Sequence, residues 1–129
     1  MALDLGPSED LVEEVEKTLE RSRRRVEKAE NELEGLLGKI EKDPGHRKNV
    51  LKTVSHLIDL DRFDEAMRIA DKCLETWKDD PEMLYKKGCA LYGKGDYRKA
   101  MDIFEPLLAL NPNSNNYKRA VNLSLEMMK

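Results

Sequence analysis

The sequence predicts an all-α protein: a short solenoid of helical hairpins, preceded by a long N-terminal helix and closed by a C-terminal capping helix. Three observations lead to this fold. Charged residues make up 38% of the chain and aromatic residues only 5%, a balance typical of helical proteins. Apolar residues recur at spacings of three and four. Residues 47–114 also match themselves at an offset of 34 residues, which indicates a repeated structural unit.

The N-terminal segment, residues 1–45, is predicted to be one long helix. Ser8 can cap its first turn, and Pro44 ends it because proline cannot continue the hydrogen-bond ladder. Between these two marks, at 1.5 Å per residue, the helix is about 50 Å long, which exceeds one face of a 129-residue globule. Part of it must therefore project, pair with another chain, or fold back at Gly35 or Gly38.

An apolar seam follows this helix at alternating spacings of three and four residues, the heptad pattern of a coiled coil. The seam consists of Val12, Val15, Leu19, Ser22, Val26, Ala29, Leu33, Leu36 and Ile40. Its second half is denser in large apolar residues, and we expect this half to dock on the rest of the protein as half a repeat. The first half is the candidate dimer contact, formed by Val12, Val15, Leu19 and Val26.

Four arginines lie between positions 21 and 25 of this helix, and clustered guanidiniums can neutralise phosphates. Glutamates such as Glu20 and Glu27 flank them at helical neighbour spacings, so ion pairing on a solvated face explains the cluster better. The whole chain carries 26 acidic and 23 basic residues, which also argues against holding nucleic acid by overall charge. We expect no nucleic-acid partner.

The 34-residue offset aligns two units, residues 47–80 and 81–114. The identical apolar pairs are Leu57 and Leu91, Ala66 and Ala100, Met67 and Met101, Ile69 and Ile103, and Leu74 and Leu108. Apolar spacings of three and four over two stretches predict that each unit is a helical hairpin. In the second unit Gly95 permits the turn and Asp96 can cap the next helix; in the first, Asp61 is expected to cap.

The second unit resembles the tetratricopeptide repeat family. The residues that carry the resemblance are Leu84, Gly88, Leu91, Gly95, Asp96, Tyr97, Ala100, Phe104, Leu108 and Pro112. In physical terms, Gly88 and Ala100 let two helices approach closely, while Tyr97 and Phe104 fill the space between repeats. Pro106 departs from the pattern, and we expect it to kink its helix.

The same register divides the chain into residues 1–45 and residues 46–129. The end of the long helix falls in the register of a repeat's second helix. Residues 115–129 are predicted to form a capping helix that covers the last repeat.

The resemblance implies a protein–protein interaction module or adaptor, because members of this family typically hold a partner's peptide or helix in a concave groove. The first helix of each repeat would line that groove. The candidate groove residues are Lys48, Leu51, Lys52, Ser55, Tyr85, Lys86, Cys89, Tyr92, Asn116 and Arg119. Among them, Lys52, Lys86 and Arg119 can meet an acidic peptide or a terminal carboxylate. The alternative is a structural homo-oligomer assembled through the N-terminal helix.

The sequence contains no pattern that indicates a catalytic site, a cofactor site or a metal site. His46 lies in a predicted loop, and the pair of His56 and Asp59 is more typical of a surface hydrogen bond than of a base and its orienting acid. Cys73 and Cys89 match no metal-binding spacing and fit buried or groove-lining thiols in a reducing compartment. We expect a protein that is not an enzyme.

Signals for secretion or membrane insertion are also missing from the sequence. The first five residues lack a positive cluster followed by an apolar run, and no stretch approaches the roughly 18 apolar residues of a membrane helix. We expect a cytoplasmic protein without a membrane partner.

Overall fold

A computed structural model describes residues 9–43 and 45–129. Within these residues there is no strand, and the helices are α1 (Glu9–Lys42), α2 (Arg47–Asp59), α3 (Phe63–Thr76), α4 (Pro81–Lys94), α5 (Tyr97–Leu110) and α6 (Asn115–Met127). Each helix packs against the next one in the chain, and α2 also packs against α4. The predicted all-α solenoid with a long N-terminal helix is confirmed. Ser8 and Pro44, the predicted marks of that helix, lie outside the described residues.

The 34-residue period reappears in the helix boundaries. The helices α2, α4 and α6 begin one period apart, at Arg47, Pro81 and Asn115. The helices α1, α3 and α5 end one period apart, at Lys42, Thr76 and Leu110. The C-terminal part of α1 therefore occupies the register of a repeat's second helix. It reaches that position without a break, since α1 continues through both Gly35 and Gly38.

The residues that precede α2, α4 and α6 cap these helices, with a different chemical group each time. The backbone amide of Asn49 donates to His46 Nδ1 at 3.3 Å. Two amides in the first turn of α4 donate to the Asp80 carboxylate, and the amide of Tyr117 donates to Ser114 Oγ at 3.3 Å. These bonds satisfy N–H groups that the first helical turn leaves without a partner. His46 is therefore a structural residue.

Asp80 also joins the two repeats. Its side chain is only 6% exposed and forms a two-point ion pair with Arg47, the first residue of α2. Arg47 Nη2 donates to Asp80 Oδ1 at 2.8 Å, and Arg47 Nε donates to Oδ2. The hydrogen bond from Arg47 is the main reason why the pKa of Asp80 is lowered. The first turns of α2 and α4 are thus held side by side.

The C-terminal part of α1 belongs to the hydrophobic core. Leu33 is buried in one cluster with Val54 and Leu57 of α2 and with residues of α3 and α4. Beside this contact, Glu32 lies 3.5 Å from His56 of α2. The sequence suggests Asp59 as the partner of His56, but the structure places the carboxylate of α1 there, because the two helices pack along each other.

The N-terminal half of α1 extends away from the solenoid. All residues between positions 9 and 28 are exposed, and this rod is about 30 Å long. Glu20 pairs with Arg23 at 3.7 Å and with Arg24 at 3.3 Å, so part of the arginine cluster is neutralised within the helix. The four apolar residues predicted as a dimer contact are 41% to 59% exposed: Val12, Val15, Leu19 and Val26.

The turn of the first hairpin differs from the prediction that Asp61 caps α3. The capping position is held by Arg62, whose side chain makes no capping bond. Asp61 instead adopts a left-handed backbone with φ of 59°. One period later Gly95 has φ of 89°, so Asp61 stands at the position of the turn glycine. The prediction is wrong because a left-handed aspartate cannot be recognised from its residue type alone.

Asp61→Gly is expected to raise the free energy of unfolding by about 0.5 kcal/mol, because glycine adopts the left-handed region without steric cost. Urea denaturation followed by circular dichroism measures the change. Asp61→Ala is the matched control and should be less stable than wild type, since alanine keeps the steric cost. A glycine variant less stable than wild type would contradict this account of the turn.

Candidate functional site

A cavity of about 300 Å³ opens between α4 and α6. We call it the α4–α6 groove. Five of the ten residues predicted from the sequence surround it: Tyr85, Cys89, Tyr92, Asn116 and Arg119. Three further residues complete its lining: Phe104, Ala120 and Leu123. The groove thus joins the first helix of the second repeat to the capping helix, over a floor from α5.

Phe104 is the floor of the groove. Its ring is 1% exposed and packs against Tyr85, with ring centroids 5.8 Å apart. The ring fits under α4 because Gly88 has no side chain, and a Cβ atom there would lie 2.4 Å from Phe104. Tyr85 also contacts Tyr117 of α6, at a centroid distance of 5.6 Å. The groove therefore offers an aromatic surface of the kind that binds an apolar side chain.

The phenol and the thiol of the groove are held in their neutral forms. Burial raises the pKa of Tyr85 to about 12, and the neighbouring Cys89 adds to this shift. Burial also raises the pKa of Cys89. A protonated thiol is a poor nucleophile and a poor metal ligand. The groove is therefore better suited to packing and hydrogen bonding than to covalent chemistry.

Two basic side chains, Lys86 and Arg119, flank these neutral groups. Arg119 acts electrostatically on Tyr85, and Lys86 acts on Cys89, so both cations lie near the groove. Among the residues that the structure describes, neither of the two has a carboxylate partner. Elsewhere in the solenoid, by contrast, Lys87 pairs with Asp71 at 2.7 Å. The rim of the groove therefore carries positive charge that the solenoid does not neutralise.

A smaller cavity of about 280 Å³ continues the groove toward the start of α4 and α6. It shares Tyr85 and Asn116 with the first cavity and is also lined by Lys86, Glu82 and Tyr117. Six predicted residues therefore lie around two adjoining cavities. Together the cavities form one elongated surface.

The four groove residues predicted on α2 lie elsewhere. Lys52 lines a separate cavity between α1 and α2, together with Glu32 and Lys39 of α1. Leu51 packs against the core cluster that contains Leu33. The remaining two are Lys48, which is exposed, and Ser55, which is half-buried.

Sequence reasoning misses a pair of apolar cavities beside the loops that connect the repeats. One of about 420 Å³ and one of about 640 Å³ are lined by residues one period apart, which include Val50 and Leu84, Ile69 and Ile103, and Cys73 and Leu107. Pro106 also lines the larger one, and α5 continues past it as a single helix. The repeat of apolar pairs in the sequence is the signal that could have located them.

Other kinds of site are not visible in residues 9–43 and 45–129. No three His, Cys, Asp or Glu side chains in these ranges come together as a metal site. Both cysteines there are unpaired thiols. None of the helices in the same ranges combines the length and the apolar character that crossing a bilayer requires.

Comparison with known proteins gives the family. The sequence model described as "Tetratricopeptide repeat" matches residues 57–123, slightly more than half of the chain, and the protein belongs to the tetratricopeptide repeat family. The match includes all residues that line the α4–α6 groove. Members of this family are typically interaction modules without catalytic activity. A search of curated protein sequences finds no match.

Two solved structures of MamA are similar to this chain. The one named "MamA MSR-1 C2" has a TM-score of 0.65 and 25% sequence identity, and the similarity covers 78% of this chain and 57% of that chain. The one named "MamA AMB-1 P212121" has a TM-score of 0.61 and 25% identity, covering 74% and 52%. This chain therefore spans little more than half the length of the MamA chains that it matches.

Proposed function

We propose that this protein is a non-catalytic interaction module that holds an extended acidic peptide of a partner protein in the α4–α6 groove. The observation that carries the proposal is the pairing of an aromatic floor, Phe104 and Tyr85, with two cations that have no carboxylate partner among the described residues. Apolar contact supplies affinity, and the cations select for carboxylates.

The shape of the surface favours an extended ligand. The two adjoining cavities share Tyr85 and Asn116, so one strand-like segment can follow both. The side chain of Asn116 offers both a donor and an acceptor to the backbone of such a segment. Arg119 lines the first cavity, Lys86 lines the second and Tyr85 lines both, so a ligand with an apolar residue between acidic ones matches this order of groups.

Short fluorescent peptides with one apolar residue between acidic residues test this function by fluorescence polarisation. We expect binding that weakens with added salt and falls at least about tenfold in Arg119→Glu, where attraction becomes repulsion. Lys118→Glu is the matched control, because Lys118 is the exposed neighbour on the same helix. Peptides in which lysine replaces the acidic residues should not bind. Equal binding of acidic and basic peptides, or an unchanged affinity in Arg119→Glu, would refute the proposal.

We also propose that the N-terminal half of α1 pairs with a second copy of the chain. This second function is favoured by the four exposed apolar residues of the seam, which the solenoid leaves uncovered. Sedimentation equilibrium should show a dimer that dissociates on dilution, and replacing both Leu19 and Val26 with Asp should give a monomer. A wild-type protein that stays monomeric at high concentration rules out this role and leaves the groove unaffected.

A further inference from the structure

We propose that two copies of this chain pair through the N-terminal halves of α1 in antiparallel orientation, with the two solenoids at opposite ends of the pair. The inference rests on the self-association proposed above and adds its direction and register. Two properties of α1 favour this direction over the parallel one, namely where the seam is buried and how its side chains differ in size, and the flanking charges make the direction testable.

The first argument is steric. One seam follows the whole of α1, but Leu33 and Leu36 on it face the protein's own solenoid and are buried, whereas residues from Val12 to Val26 are exposed. In a parallel pair, the helix of the second copy would continue along the same seam to Leu33 and Leu36. The solenoid of the first copy already covers the seam there, so the two would compete for the same space. In an antiparallel pair, the described part of the second helix begins at Glu9, beside the position where the solenoid of the first copy begins.

The second argument is packing. The residues of the seam alternate between the two apolar positions of a heptad, and in an antiparallel coiled coil a residue at one position faces a residue at the other. We place the centre of the pair between Glu20 and Arg21. The facing residues are then Val12 with Ala29, Val15 with Val26, and Leu19 with Ser22. Both small residues, Ser22 and Ala29, face larger ones. A parallel pair would place Ser22 opposite Ser22 and Ala29 opposite Ala29. Two small side chains facing each other leave space unfilled in an interface that should be closely packed.

The flanking charges distinguish the two directions, because each direction brings different charged residues together. Glu16 and Arg23 occupy equivalent positions beside the seam, each directly after one of its residues. In the antiparallel register Glu16 faces Arg23 of the second copy, and two-fold symmetry gives this ion pair twice. At the end of the overlap Glu9 comes beside Glu30 of the second copy. This repulsive contact also occurs twice, and Arg62, which lies near Glu30 of its own chain, is already paired with Glu65 at 2.7 Å.

A charge exchange tests the direction. We expect Glu16→Arg to weaken dimerisation about tenfold, since two attractive pairs become repulsive, and we expect the double variant Glu16→Arg/Arg23→Glu to restore it. Arg25→Glu is the control, because in this register Arg25 faces the uncharged Thr18. Sedimentation equilibrium measures the dissociation constants, and circular dichroism confirms that each variant keeps its helix content.

A parallel pair gives the opposite pattern, because there Arg25 faces Glu30 of the second copy and Glu16 faces no charge. Weakening by Arg25→Glu, restored by Glu30→Arg, with no effect of Glu16→Arg, would overturn the antiparallel direction while self-association stands. A wild-type chain without any dimer would overturn self-association as well. The two failures are therefore distinguishable in one series of measurements.

Discussion

Leu33→Ala is expected to lower the free energy of unfolding by about 3 kcal/mol, because truncating a buried leucine removes apolar contact and leaves a cavity. Leu33 is 2% exposed and lies in the cluster that holds α1 against α2 and α3. Arrays of this kind need about three repeats to be stable, and beyond α1 the described residues form two helical hairpins and the helix α6. We expect the C-terminal part of α1 to supply a further layer, so that loss of its contacts destabilises the whole solenoid.

Leu19→Ala is the matched control, since both leucines belong to one seam of one helix. Leu19 is 59% exposed, and its truncation should change the stability of the dilute protein by less than about 0.5 kcal/mol. Urea denaturation at low protein concentration compares the two variants. Equal effects at positions 19 and 33 would show that α1 does not stabilise the solenoid.

Asp80→Ala is expected to lower the free energy of unfolding by about 2 to 3 kcal/mol. The substitution removes the cap of α4, which costs about 1 kcal/mol, and it deprives Arg47 of a buried partner. Asp80→Asn separates the two contributions, because asparagine can still cap but is not charged. We expect its stability to lie between those of wild type and the alanine variant. A wild-type stability in Asp80→Ala would mean that the two repeats do not depend on this contact.

The same ion pair makes stability depend on pH. The hydrogen bond from Arg47 lowers the pKa of Asp80 in the folded protein, so folding favours the ionised carboxylate. Its contribution is complete above the ordinary pKa of an aspartate, about 3.9, and it is lost as the pH falls through the lowered folded value. Below about pH 4 the stability of wild type should therefore fall more steeply than that of Asp80→Asn. Parallel pH curves would contradict this assignment.

Much of the fold follows from the sequence because the repeat determines both the helix boundaries and the residues that cap the helices. A period of 34 residues fixes where each helix starts, and the capping groups His46, Asp80 and Ser114 fall at that spacing as well. The local backbone is less predictable. Asp61 has the residue type of a cap but the conformation of a turn glycine, and only its alignment with Gly95 hints at this.

The candidate site can be predicted from the sequence where equivalent helices of the repeat have equivalent neighbours. It cannot be predicted where the neighbouring helices differ. Tyr85 and Arg119 lie on helices that begin one period apart and face one groove. Lys52 lies one period before Lys86, but α1 packs against α2, and Lys52 shares a cavity with Glu32 instead. A repeat pattern carries no information about the segment that precedes the first repeat, so the environment of α2 is visible only in the structure.

The unbroken course of α1 through Gly35 and Gly38 has a consequence for avidity. A stiff connection between rod and solenoid fixes the distance between the two solenoids of an antiparallel pair at roughly 45 Å, from the rise per residue of a helix. Two recognition segments in a single ligand could occupy both solenoids only if about 13 or more residues separated them. Shorter spacers would gain nothing from the second site, whereas a suitable one would benefit from a high effective concentration.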